Sequence, residues 1–385
     1  MALHTFEPWI PEEWDGPVVQ KMIQTSAVER VGRIEPMSTQ TRHVPRSGGM
    51  GMDILAKGDS YTEDSNVDDE IQLDARKYGR TISLAEEDLA DTTAMPSILE
   101  AKRVDWATAF AKTYDNACLA VNGAMSVAAD RPHTSVYQAL RTTDSGISYT
   151  ADTNYVRAGD NLGAVTFTDT GDVVTFAQPH GLKVNDRVVP GTITTTTGIT
   201  AGTTYYVKSV ATTTTVTLSA TLGGATLALT TDGSAVSMTV LKVTYLSMSR
   251  AVGIYEQGDF YDDGNSVVIA HPYYKQAARD LLDLNGRPIL VLGGENQGDT
   301  LLGYPVEWSL GCKVSTAATP TPTGNPIFVV GNKGLLIVGR RSGPESFVAD
   351  PQTVGFATDE TKLKVRARRA FAIGSPFGFA AYEAA

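Results

Sequence analysis

The chain has 385 residues, 42% of them hydrophobic, which is enough to bury a sizeable core and suggests two or three domains. A net charge of −11 and a pI near 5.0 argue against a protein that wraps nucleic acid tightly. Two cysteines, Cys118 and Cys312, lie far apart in sequence, so neither a disulfide framework nor a zinc site is indicated and a reducing compartment fits.

The N-terminus, MALHTFEPWIPEEWDG, is acidic and broken by prolines, unlike a signal peptide. Residues 1–36 read as an extended arm with one short helix, capped by Asp15 and opened by Pro17. Phe6, Trp9 and Trp14 on this arm must bury their rings, either on their own domain or on a neighbour. Residues 37–82 form an expected hairpin: STQTRHVPR outward, a glycine-rich tip, and IQLDARKYGRTISL returning with Ile71 and Leu73 on one face. Before the return lies an acidic run from Glu63 to Glu70, with Asp64, Asp68 and Asp69 between: a solvated surface or a docking edge. A hairpin this long cannot bury enough apolar area alone and needs a partner surface.

Met95 to Gly123 predicts a spine helix about 40 Å long, opened by Pro96 and stopped by Gly123. Val104, Ala107, Ala111, Tyr114, Cys118 and Val121 recur at three- and four-residue steps, and Lys102, Asp105, Lys112 and Asn116 fall opposite. Residues 124–157 are mixed. From Ala164 to Val240 there are 22 threonines in 77 residues, with short β-type runs between glycine turns. We read 160–243 as an inserted β-domain, because the mixed pattern resumes after it. A helix is expected at Tyr245–Tyr255, a strand at SVVIA, a helix from Pro272 to Leu284, and strands at PILVL and IFVV. The interrupted apolar run Ile327 to Val338 spans no membrane. Near the end, Leu363, Val365 and Ala367 alternate with Lys362, Lys364, Arg366 and Arg368, giving a strand with one basic face and Arg369 beside it.

Catalytic signatures are scarce: no GxSxG, HExxH, Walker loop or GxGxxG opening a helix. His4, His43, His133, His180 and His271 are scattered without ligand spacing, and His180 in PHGL reads as a turn residue. Cys118 reads as an inert core thiol, and Asp262-Asp263-Gly264-Asn265 as a turn rather than a calcium loop. No catalytic, cofactor or metal site is expected.

Several stretches, in one order, resemble the major capsid proteins of tailed bacteriophages, which share the Hong Kong 97-type fold. VVQKMIQTSAVERVGRIEPM looks like the end of that family's arm, and KGDSYTEDSNVDDEIQLDARKYGRTISLAEEDLAD like its extended loop. VVIAHPYYKQAARDLLDLNGRPIL and LLGYPV resemble its axial domain, and the strand ending in RARRAFAIG its return to the peripheral domain. The insert is similar to small β-modules of phage virion proteins.

The resemblance implies an α+β fold: arm 1–36, extended loop 37–82, peripheral domain with spine helix 83–124, axial domain 125–159 and 244–345, inserted β-domain 160–243, and peripheral return 346–385. It implies a non-enzymatic shell subunit, forming hexamers and pentamers of an icosahedral head around double-stranded DNA. Expected partners are a portal, a separate scaffolding or decoration protein, and packaged DNA through weak non-specific contact; no membrane is involved. Assembly is expected in the host cytoplasm, and the product in the virion. The arm starting at Met1 suggests a separate scaffolding protein or none. Lys57 has no asparagine partner in SFVADPQTVG, so no crosslink between subunits is expected. The candidate contacts between subunits are Trp9, Trp14, Glu63, Asp64, Asp68, Asp69, Glu70, Lys362, Lys364, Arg366, Arg368 and Arg369. The alternatives are a tail-tube or decoration protein, and a hydrolase with a β accessory domain.

Overall fold

The computed structural model describes residues 25–384 except 48–51, 62, 64–67, 86–94, 126–129, 196–197, 280, 283–284, 294–297 and 350–359, and only the backbone of 95–99. The expected arm helix at Asp15–Ile23 and the rings of Phe6, Trp9 and Trp14 lie outside the described residues. The first described helix is a different one, α1 (Ala27–Val31), capped by Ser26.

Two sheets share one core. The first is four-stranded, in the order β1 (Arg33–Pro36), β20 (Leu336–Ala349), β21 (Glu360–Ile373), β4 (Arg76–Ala85). The second is seven-stranded, in the order β16 (Leu290–Val291), β17 (Thr300–Leu301), β18 (Tyr304–Trp308), β15 (Ser266–Ala270), β19 (Ile327–Asn332), β22 (Phe379–Glu383), β5 (Tyr155–Arg157). The long helix α2 (Met95–Leu119) packs its apolar side against β21. Phe110, Tyr114 and Cys118 there join Val338, Ala367 and Phe371 of the first sheet and Ile269, Val329 and Ala381 of the second.

The helix departs from its expected form at its C-terminal end. It stops at Leu119, because Val121 leaves to form a β-bridge with Ser315. Asn116, expected on the solvent face, is fully buried: its side-chain amide donates to the carbonyls of Gly311 and Lys313, each at 2.8 Å, and its carbonyl accepts from Ser315 at 2.7 Å. A loop from far along the chain covers the polar side of the last turns, so their amphipathic pattern is not a boundary with water.

Two further segments divide differently from expectation. The return limb splits at Ala75, whose N–H donates to Gln40. Its first half, β3 (Asp69–Asp74), pairs with β2 (Thr41–Arg46), while its second half, β4, pairs with β21. The C-terminal segment does not all return to the four-stranded sheet. FAAYE is buried on both faces and forms β22, between β19 and β5 of the other sheet. The helix expected to reach Leu284 is α5 (Tyr273–Arg279); Leu282 already bridges to Pro288. Helices α3 (Val136–Leu140) and α4 (Tyr245–Glu256) flank β22, and the capping box of Thr244 and Ser247 opens α4.

The threonine-rich segment forms its own nine-stranded antiparallel sheet, with a separate core of Val165, Phe167, Val188, Val207 and Val216. Its first strand, β6 (Asp160–Asn161), pairs with its last, β14 (Met238–Val240), so that Asp160 stands opposite Val240. Paired strands lie ~4.8 Å apart, so the chain enters and leaves this sheet at adjacent points. His180 sits in its expected turn, where Nδ1 accepts from the Leu182 N–H at 2.9 Å. Replacing Asp160–Val240 by a short Gly/Ser linker should therefore leave the other two sheets folded. A purified chain that unfolds in one cooperative transition checks this; loss of that transition refutes it.

Candidate assembly interface

Strand β21 organises the candidate residues by parity. Thr361, Leu363, Val365, Ala367 and Arg369 point inward and are buried, whereas Lys362, Lys364, Arg366 and Arg368 point outward. Antiparallel registry places Ser83, Thr81, Gly79 and Lys77 of β4 beside these four in turn. On the other side stand Ala349, Phe347, Glu345 and Ser342 of β20. The outward face is thus a ribbon of five cations, with Glu345 inside it and Glu360 at its end.

Each cation has a distinct setting. Arg366 pairs with Glu345 at 2.8 Å and lies 4.8 Å from the ring centre of Phe347, which Lys364 also approaches at 5.3 Å. Phe347 remains 44% exposed, so the two cations frame an open aromatic ring. Lys362 is 3.7 Å from Glu360. Lys77 and Arg368 stand directly opposite each other, an arrangement that costs roughly 0.2–1 kcal/mol for like charges.

Arg369 does not belong to this face. It is buried against Phe110, pairs with Glu29 of α1, and donates to the Ser342 carbonyl. Its expected role as a contact between subunits is corrected: a buried guanidinium already held by a carboxylate has nothing left to offer a second chain.

The acidic candidates also separate. Asp69 pairs with Arg46 across the β2–β3 hairpin, and that hydrogen bond holds its carboxyl below the usual range. Arg46 also reaches Asp144 at 3.3 Å, and Glu70 faces His43 at 2.9 Å. Both acids are therefore engaged within their own hairpin and its support. Glu63 and Asp68 are exposed. Asp64, like Trp9 and Trp14, lies outside the described residues.

Sequence reading passed over the apolar residues of the same loop. Met52, Ile54 and Tyr61 are each at least 90% exposed, the most exposed large apolar side chains among the described residues. The signal available was only their presence among turn-forming residues, since exposure is a property of the assembled fold. The described residues hold no cluster of ligating side chains suited to a metal, and no helix long and apolar enough to cross a membrane.

The hairpin is carried on a buried aromatic cluster. Tyr78 of β4 packs edge-on to Phe110 and Tyr114, and His133 lies 6.1–6.4 Å from Tyr78, Tyr114 and Phe371. His133 is 1% exposed, and its Nε2 has no hydrogen-bond partner. Burial, then the charge of Arg76, pushes its pKa down to about 3, with Asp74 opposing.

The chain thus has a buried core, an extended hairpin with a bare apolar segment, and a basic ribbon on its surface. The matching family model is that of the phage capsid family, over residues 175–384. The chain belongs to that family and is a major capsid subunit, a structural building unit of the head shell found in the virion. Solved structures agree in fold across nearly the whole chain. A chain from Mycobacterium phage Ogopogo is 13% identical, with a TM-score of 0.56 and 100% of each chain covered. One from Mycobacterium phage Bobi is 14% identical, at 0.55, covering 98% of this chain and 96% of the other. The capsid of a native GTA particle is 12% identical, at 0.56, covering 98% and 95%. No curated protein matches in sequence.

The setting of His133 predicts a pH dependence with a definite sign. Between pH 6.5 and about 3 the unfolded chain binds a proton at this position that the folded chain refuses, so stability falls as pH drops through that window. Over the whole window the loss is on the order of 5 kcal/mol. His133→Leu should flatten the urea-unfolding free energy against pH between 6 and 4, relative to the parent chain; parallel curves would refute it.

Proposed function

We propose that this subunit closes an icosahedral shell of hexamers and pentamers around double-stranded DNA by laying its hairpin segment on the basic ribbon of a neighbouring copy. The observation that carries this reading is the exposure of Met52, Ile54 and Tyr61 on a two-stranded hairpin. The hairpin strands pack on their own chain through Leu73 and Ala75, whereas the bare apolar side chains of the segment between them gain stability only from another surface. Charge favours the same pairing. The run 63–70 is acidic, and Lys77, Lys362, Lys364 and Arg368 offer cations on a face that also carries the open ring of Phe347.

In this reading, residues 1–36 are an arm and 37–82 an extended loop reaching neighbours. The four-stranded sheet and α2 form the peripheral domain. The seven-stranded sheet, including β22, forms the axial domain at capsomer centres, and 160–243 form an outward-projecting insert. Assembly takes place in the host cytoplasm, with a portal and a separate scaffolding or decoration protein as further partners. Each ion pair at an exposed interface contributes ~1 kcal/mol or less, and closed symmetry repeats it many times. A second reading, supported by the same five cations, has the ribbon face packaged DNA through weak non-specific contact.

Two outcomes test the proposal. Ile54→Asp with Tyr61→Asp should give a soluble, folded subunit that forms no shells by electron microscopy; normal particles would remove the hairpin from the mechanism. Glu63→Lys with Asp68→Lys should block assembly, and adding Lys364→Glu with Arg368→Glu should partly restore it. A ribbon variant that impairs only DNA-filled heads favours the DNA reading. Because Lys57 has no asparagine partner in 346–355, boiled and reduced particles should run at the monomer mass of 41.0 kDa, with no ladder.

A further inference from the structure

Two of the chain crossings between the four- and seven-stranded sheets are short and lie side by side. One is the single turn Lys333–Leu335, between β19 and β20; the other is Gly374–Gly378, between β21 and β22. Leu335 nests against both ends of the second crossing. A Cβ on Gly374 would meet Leu335 Cδ2 at 2.7 Å, and one on Gly378 would overlap Leu335 Cδ1. Two short, adjacent, glycine-bearing crossings between packed sheets have the form of a hinge.

Helix α1 spans that joint and is tied to both sides. Glu29 pairs with buried Arg369 of β21, in the four-stranded sheet. Arg30 pairs with Glu307 of β18, in the seven-stranded sheet. Between these ties the buried carboxylate of Asp115, on α2, accepts from Ser26 Oγ, from the N–H of Ala27 at 2.9 Å and from that of Val28 at 3.2 Å. It also accepts from Ser309 Oγ at 2.6 Å, just past β18, and the N–H of Ser309 donates to Ala270 of β15. Ala27 and Val28 are fully buried in the core that the two sheets share.

We propose that Ser26–Arg30 is a bolt that fixes the angle between the two sheets, and that unseating it frees the hinge. The geometry permits no half-measure. Rotation of one sheet against the other must break either the Glu29–Arg369 side or the Ser309–Asp115 and Arg30–Glu307 side, because a five-residue helix cannot stretch between them. Breaking the first leaves a buried guanidinium without its carboxylate. Breaking the second removes a donor from a buried carboxylate that has no cation among its hydrogen-bond partners. Each side therefore resists small rotations, and the angle holds at one value until the whole segment lifts. This inference concerns the single chain and stands whether or not the hairpin docks as proposed above.

The test labels the full chain at Val348→Cys and Val291→Cys, exposed positions in the four- and seven-stranded sheets, while native Cys118 and Cys312 stay buried. Spin-label distances should show one narrow peak in the parent. Ser309→Ala with Arg30→Ala cuts the ties to one sheet, and Glu29→Gln cuts the tie to the other. Each should speed amide exchange at Ala27 and Val28 by ~10-fold or more and replace the narrow peak by a broad or shifted one. A narrow, unmoved peak alongside fast exchange would overturn the proposal, since the segment would have lifted without freeing the sheets. Unchanged exchange in both variants would overturn it equally, because the named ties would not be what holds the segment. Asp115→Asn should give the largest change; if it fails to fold, the two milder variants decide.

Discussion

The alternation of β21 is the constraint on which the rest of this subunit depends. Inward residues at every second position let the strand carry α2 on one face and present charge on the other. Its edges are both taken, by β20 along one side and β4 along the other. The extended hairpin is thereby fastened to β21 through β4, the edge strand of the four-stranded sheet. A one-residue slip would turn Leu363, Val365 and Ala367 to water and bury four cations, so the register is strongly specified.

That alternation was legible in the sequence, and it carried more information than a reading by charge extracted. Counting by twos from Leu363 places Arg369 on the inward face, with the apolar residues. Grouping it with the lysines and arginines around it gave the wrong role. Asn116 failed for the opposite reason. Helical periodicity does put it opposite the apolar stripe, but the loop from Gly311 to Thr319 covers that side and supplies its hydrogen bonds. A partner nearly two hundred residues away leaves no mark on local pattern. The same holds for the hub at Asp115, whose donors come from residues 26–28 and 309. In a helix the acid reads as solvent-facing, and only the assembled fold shows a carboxylate replacing water for the first N–H groups of α1.

The nine-stranded sheet has a core separate from that of the other two sheets. Threonine favours the pleated, half-buried surface through its branched Cβ, and its hydroxyl leaves the sheet's open face polar without charge. The sheet's first and last strands meet through the pairing of Asp160 with Val240, so it imposes no separation on the strands around it. Its polar and apolar residues answer to its own core, which is why its composition departs so sharply from the flanking sequence while the fold resumes beyond it.

Charge distribution settles how such subunits can find one another without sticking indiscriminately. A chain of net charge −11 repels its own copies, and that repulsion opposes indiscriminate contact between unassembled subunits. The basic ribbon is a local exception on an acidic body, and the exposed acids Glu63 and Asp68 sit on the loop that bears the bare apolar side chains. In the proposed docking, attraction between the two selects orientation, and burial of Met52, Ile54 and Tyr61 supplies the free energy once the surfaces meet. At physiological ionic strength the screening length is ~8 Å, so this steering acts only near contact, where register is chosen. That docking would place affinity in the apolar residues and specificity in the charged ones, so that the two could be altered separately.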